Sequence, residues 1–201
     1  IARKAAVRDA FLPNNHQAYL IFGVILLLLS VFLTIAFVSH LFTGNADQNI
    51  LQNQIADAID KDTKQTSNIL GFIGARIAHW FIFIWFGISS FFIIPILFFS
   101  GFRLVFKEDL FSKFNISRFT IGSVFYMIFL SLFLGYFVYV FDIKSMLLSG
   151  KLGYNSNEVL FTLFGYGSLL VILLGLFIWL VFFHGFTKID DYTIGNLMPV
   201  K

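Results

Sequence analysis

Few side chains in this sequence are of types that do chemistry. His40, His79 and Asp142 form the strongest set, because two imidazoles and a carboxylate are proper ligands for zinc. Each stands at the end of an apolar run, so topology gathers them at one interface. The spacing fixes no distance between them, and they read as interfacial side chains facing water and headgroups; no metal ligand is assigned. A nucleotide site has less support. The only Gly-Lys pair is Gly150-Lys151, but Ser145 stands where a P-loop needs its first Gly, and Leu152 follows where Ser or Thr is required. No G-x-S-x-G, no H-E-x-x-H and no dinucleotide-binding glycine pattern is present. Zero cysteines exclude a disulfide framework and a thiolate metal site. Hence no catalytic, nucleotide-binding or metal-binding residue is assigned, and no cofactor is expected within the chain.

The elements that would position such residues are apolar. Hydrophobic residues make up 58% of the 201 and charged residues 12%, with 29 Phe and a mean hydropathy of +0.85. A soluble domain averages about 45–50% and about 25% for the same two classes. Too few charged side chains remain to cover a water-facing surface. This excludes a soluble enzyme, a disordered chain and a collagen-like fibre, and leaves an integral membrane protein. The chain starts at Ile1 with a charged stretch and no cleavable signal, which reads as a piece of a longer protein.

A spanning helix needs about 20 apolar residues. Four stretches qualify: 19–41, 81–106, 119–141 and 159–183, and Arg103 is the one charged residue in any of them. A β-barrel would instead alternate polar and apolar residues over short strands. The expected fold is all-α and polytopic, with four transmembrane helices. An even number of spans puts both termini on one side. Segments 1–18, 107–118 and 184–201, with Arg103 at the rim, carry Arg3, Lys4, Arg8, Arg103, Lys107, Lys113, Arg118, Lys188 and Lys201, nine basic residues. Segments 42–80 and 142–158 carry Lys61, Lys64, Arg76, Lys144 and Lys151, five. The excess places both termini in the cytoplasm and the two other connections outside. On that reading the Asn115-Ile116-Ser117 sequon lies inside and is a chance match. Arg3, Lys4 and Arg8 then suit anionic headgroups better than DNA.

The first outer connection contains a short amphipathic helix. Gly44 to Gln48 reads as a turn with Asn45 as cap, and Ile50, Leu51, Ile55, Ala58 and Ile59 then recur at helical spacing. Ile69, Ile73, Ile77 and Trp80 repeat the pattern before the second span. The second outer connection, 142–158, holds Gly150, Gly153 and Asn155, all turn-permissive. Tyr19 and Trp80 suit interface anchors.

The spans contain packing features. Pro95 should kink the second by freeing a backbone carbonyl, and Ser89 and Ser90 stand near enough to re-satisfy it. Ser131 and Gly135 form a small-xxx-small pair in the third, and Gly165, Ser168 and Gly175 leave flat patches on the fourth. No ionisable residue lies near the centre of any span, which disfavours a proton pump or a charged-substrate transporter.

Several short runs, taken in order, carry a family likeness. Phe42-Thr43-Gly44-Asn45-Ala46-Asp47-Gln48 follows the first span. Leu70-Gly71-Phe72-Ile73-Gly74-Ala75 leads to Phe86-Gly87, Phe91, Pro95 and Gly101. Gly150, Gly153, Leu160 and Gly165 follow. From Tyr19 to Phe183 the chain resembles the N-terminal four-helix membrane domain of bacterial FtsK/SpoIIIE-type DNA translocases. Ser149-Gly150 departs from it, since many members have Gly-Gly there. The resemblance implies a membrane anchor at the division septum of the inner membrane, in contact with other division proteins. It implies an ATP- and magnesium-dependent motor C-terminal to residue 201, hexameric and threading double-stranded DNA, whose nucleotide-binding residues have no counterpart here. The polar tail with Lys188, Asp190, Asp191 and Lys201 fits the start of a linker. Two rival readings are a small polytopic scaffold subunit of another envelope complex and a channel or transporter for an uncharged solute.

Overall fold

The computed structural model describes residues 15–52, 66–106, 115–143 and 145–184, with side chains from Gln17 to Gly44 in the first of these segments. Every regular element among them is helical: α1 (Asn15–Gln52), α2 (Gly71–Ala78), a π-helical segment (His79–Phe86), a 3-10 segment (Gly87–Phe92), α3 (Ile93–Phe106), α4 (Ile116–Val140), α5 (Gly150–Phe164), a 3-10 turn (Gly165–Gly167) and α6 (Ser168–His184). Among the described residues, four helical stretches are long and apolar enough to cross a membrane: Gln17–Gly44, Gly71–Phe106, Ile116–Val140 and Gly150–Phe183. The all-α, four-span fold class read from composition is the fold observed.

α1 runs antiparallel to the second stretch. At one end Gly23 faces Gly101, where a Cβ on either would crowd the other's carbonyl oxygen at 3.0 or 2.8 Å. At the other end Asn68 Nδ2 donates to the Ala36 carbonyl at 3.1 Å, and the Ile69 N–H donates to Ser39 Oγ at 3.0 Å. Between them Phe37 is fully buried, with Leu33, Ala36, Ala78 and Ile82, against Phe81 at 5.8 Å and Phe91 at 5.5 Å between ring centroids. Lipid provides no hydrophobic drive between helices, so this contact rests on close packing and a few hydrogen bonds. α4 packs on the second stretch and on α5 and α6. Trp179 of α6 stacks between Phe125 of α4 at 4.1 Å and Phe183 at 4.3 Å.

The second stretch starts at Gly71 instead of residue 81, and three further features differ from those read in the sequence. The turn expected over 44–48 is helix interior, because α1 continues to Gln52. Gly44 is small there for a packing reason: a Cβ would meet the His40 ring, one turn earlier, at 2.9 Å. The rest of the expected amphipathic helix, 53–65, lies outside the described residues. The fourth stretch starts at Gly150 instead of Val159, so half of the expected outer connection is helix. The bend in the second stretch falls at Gly87, not at Pro95. Gly87 has φ of +67°, whereas Pro95 is the third residue of α3, in a first turn where proline costs little.

Candidate functional site

The residues with the most specific environment lie where the two broken stretches meet α4. Ser131 is nine residues before the end of α4, about 13 Å along the helix at ~1.5 Å per residue. Its hydroxyl donates to the carbonyl of Ser149 at 2.7 Å. The connection after Val140 therefore turns back into the bundle before α5 begins.

Its descent ends on the break in the second stretch. The Ile88 N–H donates to the Leu148 carbonyl at 3.3 Å. A Cβ on Gly87 would strike that same carbonyl, and one on Gly150 would strike the Trp85 carbonyl. Both glycines also have φ of +67°, a region L side chains rarely adopt. Two backbones thus touch where neither can carry a side chain. A π-helical turn followed by a 3-10 turn releases carbonyls that a continuous α-helix would satisfy. Ser90 Oγ donates to the Phe81 carbonyl and Ser89 Oγ to the Phe86 carbonyl, each at 2.5 Å. An unsatisfied backbone group in lipid costs several kcal/mol, so these two hydroxyls make the break tolerable. The serines have the role expected of them, but they serve the break at Gly87 and not a kink at Pro95.

The contact continues along α4. A Cβ on Gly135 would run into the Gly153 carbonyl, and a Cβ on Gly153 into the Ser131 carbonyl. Asn157 Nδ2 donates to the Leu132 and Gly153 carbonyls, both at 2.8 Å, and so bridges the two helices. Ser149, Gly153 and Asn157 all meet the short stretch of α4 from Ser131 to Gly135. Among the expected packing residues, Ser131 and Gly135 are thus at the tightest contact. A methyl group placed on Gly165 or Gly175 would have nothing within 4 Å. Gly165, with φ of +56°, is instead the turn between α5 and α6. Gly175 borders an apolar cavity of about 180 Å³ lined also by Phe125, Phe129 and Ile172.

Gly87, Ser149, Gly150, Gly153 and Asn157 do not stand out as packing residues in the sequence. One signal is present. Phe86-Gly87 and Phe164-Gly165 each put a glycine inside a long apolar run, and each is a helix break. The i, i+4 pair Gly153 and Asn157 mirrors Ser131 and Gly135.

The cluster holds hydroxyls, an amide and backbone, with no acid, base or nucleophile pair. Its chemistry is that of locking helices. Of the three candidate ligand residues, His40 and His79 come together, with ring centroids 6.0 Å apart; His79 also stacks on Phe83 at 4.7 Å, and Asp142 is an exposed turn residue with φ of +49°. No group of three or more His, Cys, Asp or Glu side chains suited to a metal occurs among the described residues.

The family model described as the 4TM region of DNA translocase FtsK/SpoIIIE matches residues 16–190. No curated protein and no solved structure matches the chain.

Proposed function

Because the chain belongs to the family of the 4TM region of DNA translocase FtsK/SpoIIIE, we propose that it is the membrane anchor of a DNA motor acting in cell division and chromosome segregation. The single observation that carries this reading is the match over 16–190, which takes in all four spanning stretches. On this reading the motor lies C-terminal to residue 201, and ATP, magnesium and double-stranded DNA belong to it. Self-association follows from the motor's hexamer. Partners in the membrane are other division-site proteins. Both termini are cytoplasmic, as the basic residues favour. The packing supports such a role: a mount for a motor must keep its shape, and backbone-to-backbone contact at Gly87, Gly135, Gly150 and Gly153 leaves little freedom.

A chromosomal fusion of the native gene to a fluorescent protein tests the reading in dividing cells. A band at the septum is expected, with filamentation on depletion. A uniform membrane signal with normal division would overturn it. The reading frame downstream of Lys201 should encode a G-x-x-x-x-G-K-[ST] motif.

A further inference from the structure

α5 has a face that its contact with α4 leaves unused. Lys151, Asn155, Glu158 and Thr162 recur at helical spacing and are all exposed, while Gly150, Gly153 and Asn157 are buried. Placing an ammonium and a carboxylate among lipid tails is strongly disfavoured. Because Ser149 lies beside Ser131, inside the end of α4, the Lys151 ammonium reaches along the Phe83 ring toward the level of headgroups and water.

The π-helical segment stands beside this face. Ile84, Trp85, Lys151, Leu152, Asn155 and Ser156 line an open cleft of about 440 Å³. Lys151 is its one ionisable lining residue. The Lys151 ammonium lies 5.4 Å from the centroid of the Phe83 ring, the ring on which His79 stacks. No ion pair engages it among the described residues. A lysine, an amide and a hydroxyl together offer a positive charge and hydrogen-bond donors, the chemistry that recognises phosphate oxygens. Trp85 is of the type that settles between headgroup and tail. Ile84 and Leu152 extend an apolar wall from it.

We infer that this cleft holds the headgroup of an anionic phospholipid. Lys151 meets the phosphate, Asn155 and Ser156 donate to its oxygens, and Ile84, Trp85 and Leu152 take the glycerol and first methylenes. The charge of the cleft selects an anionic lipid over a zwitterionic one, and its apolar wall selects a lipid over a soluble phosphate.

Native mass spectrometry of the full 201-residue chain released from neutral detergent tests this, with dioleoylphosphatidylglycerol and dioleoylphosphatidylcholine added in turn. Retention of the anionic lipid should be at least about fivefold higher. Lys151→Gln should lower the preference by at least about half, Lys151→Arg should keep it, and both should be read against the wild-type chain, whose other basic residues also meet anionic headgroups. Equal retention of the two lipids, or a preference that Lys151→Gln leaves unchanged, would overturn the assignment. Displacement by glycerol 3-phosphate would also overturn it, by making the cleft a site for soluble phosphate esters. If Lys151→Gln loses its helical circular dichroism, a second measurement decides. With Trp80 and Trp179 replaced by Phe, brominated phosphatidylglycerol should quench Trp85 more strongly than brominated phosphatidylcholine, and equal quenching refutes the site.

Discussion

Gly135 and Gly175 are chemically identical and both lie within apolar helices, but their surroundings are opposite. A side chain on Gly135 has to displace the Gly153 backbone and the Asn157 amide; one on Gly175 meets nothing within 4 Å. Overpacking a close contact costs about 1–3 kcal/mol, while an interhelical hydrogen bond in a membrane averages about 0.6 kcal/mol. The steric term should dominate. Gly135→Leu is expected to lower the thermal aggregation midpoint in detergent by several degrees. Gly175→Leu should leave it unchanged, because the new side chain enters an apolar cavity. Asn157→Ala should fall between them. The ranking is checked by heating the three purified variants beside the wild type. A harmless Gly135→Leu would remove this contact from the account of the fold.

At the scale of the element, the second spanning stretch is governed by a glycine and two serines. Gly87 has a positive φ and touches the backbone of the connection after α4, whereas Pro95 lies in the first turn of α3. Pro95→Ala should therefore change stability little, by less than about 1 kcal/mol. Gly87→Ala should cost more, since the methyl group is both strained and in contact with the Leu148 carbonyl. Ser90→Ala leaves the Phe81 carbonyl without its hydroxyl donor and should also destabilise. Thermal aggregation of the three variants separates these expectations. If Pro95→Ala were the most damaging, the bend would depend on proline after all. The serines are legible in the sequence as donors to freed backbone. The break is legible only in part: Phe86-Gly87 sets a glycine inside an apolar run, but the backbone that it meets comes from the connection after α4.

At the scale of the whole molecule, orientation decides which end of the bundle meets the cytoplasm. Ile69 lies at the end that joins α1 to α2, and its side chain is 76% exposed. Ser117 is exposed at the start of α4, at the end where Gly23 meets Gly101 and Phe99 packs on Phe119. With cytoplasmic termini, a cysteine replacing Ile69 should react with an impermeant maleimide in intact spheroplasts, and one replacing Ser117 should not. Labelling only at 117 would invert the topology and move the cleft beside Lys151 to the inner leaflet. The basic residues bear on this question because cytoplasmic connections carry more Lys and Arg. The packing does not, since a bundle turned over keeps every internal contact.

Sequence alone determined the class of the molecule and its four spans. Twenty or so apolar residues favour the bilayer whatever lies beside them, and inside it the backbone must close its own hydrogen bonds, which makes helices. Ser131 and Gly135 were visible for a similar reason, since small residues four apart form a flat patch on a helix regardless of its partner. Tertiary structure decided what the patch meets. It brought the chain after Val140 back to Ser149, set Gly87 and Gly150 backbone to backbone, and left Gly175 beside a cavity. A glycine at a contact and a glycine facing space have the same local sequence signal; only the opposing chain distinguishes them. Hydropathy likewise joined the C-terminal part of α5 to α6 as one span, while the contact of Gly153 and Asn157 with α4 determines which face of α5 is buried and so exposes Lys151, Asn155 and Glu158 together.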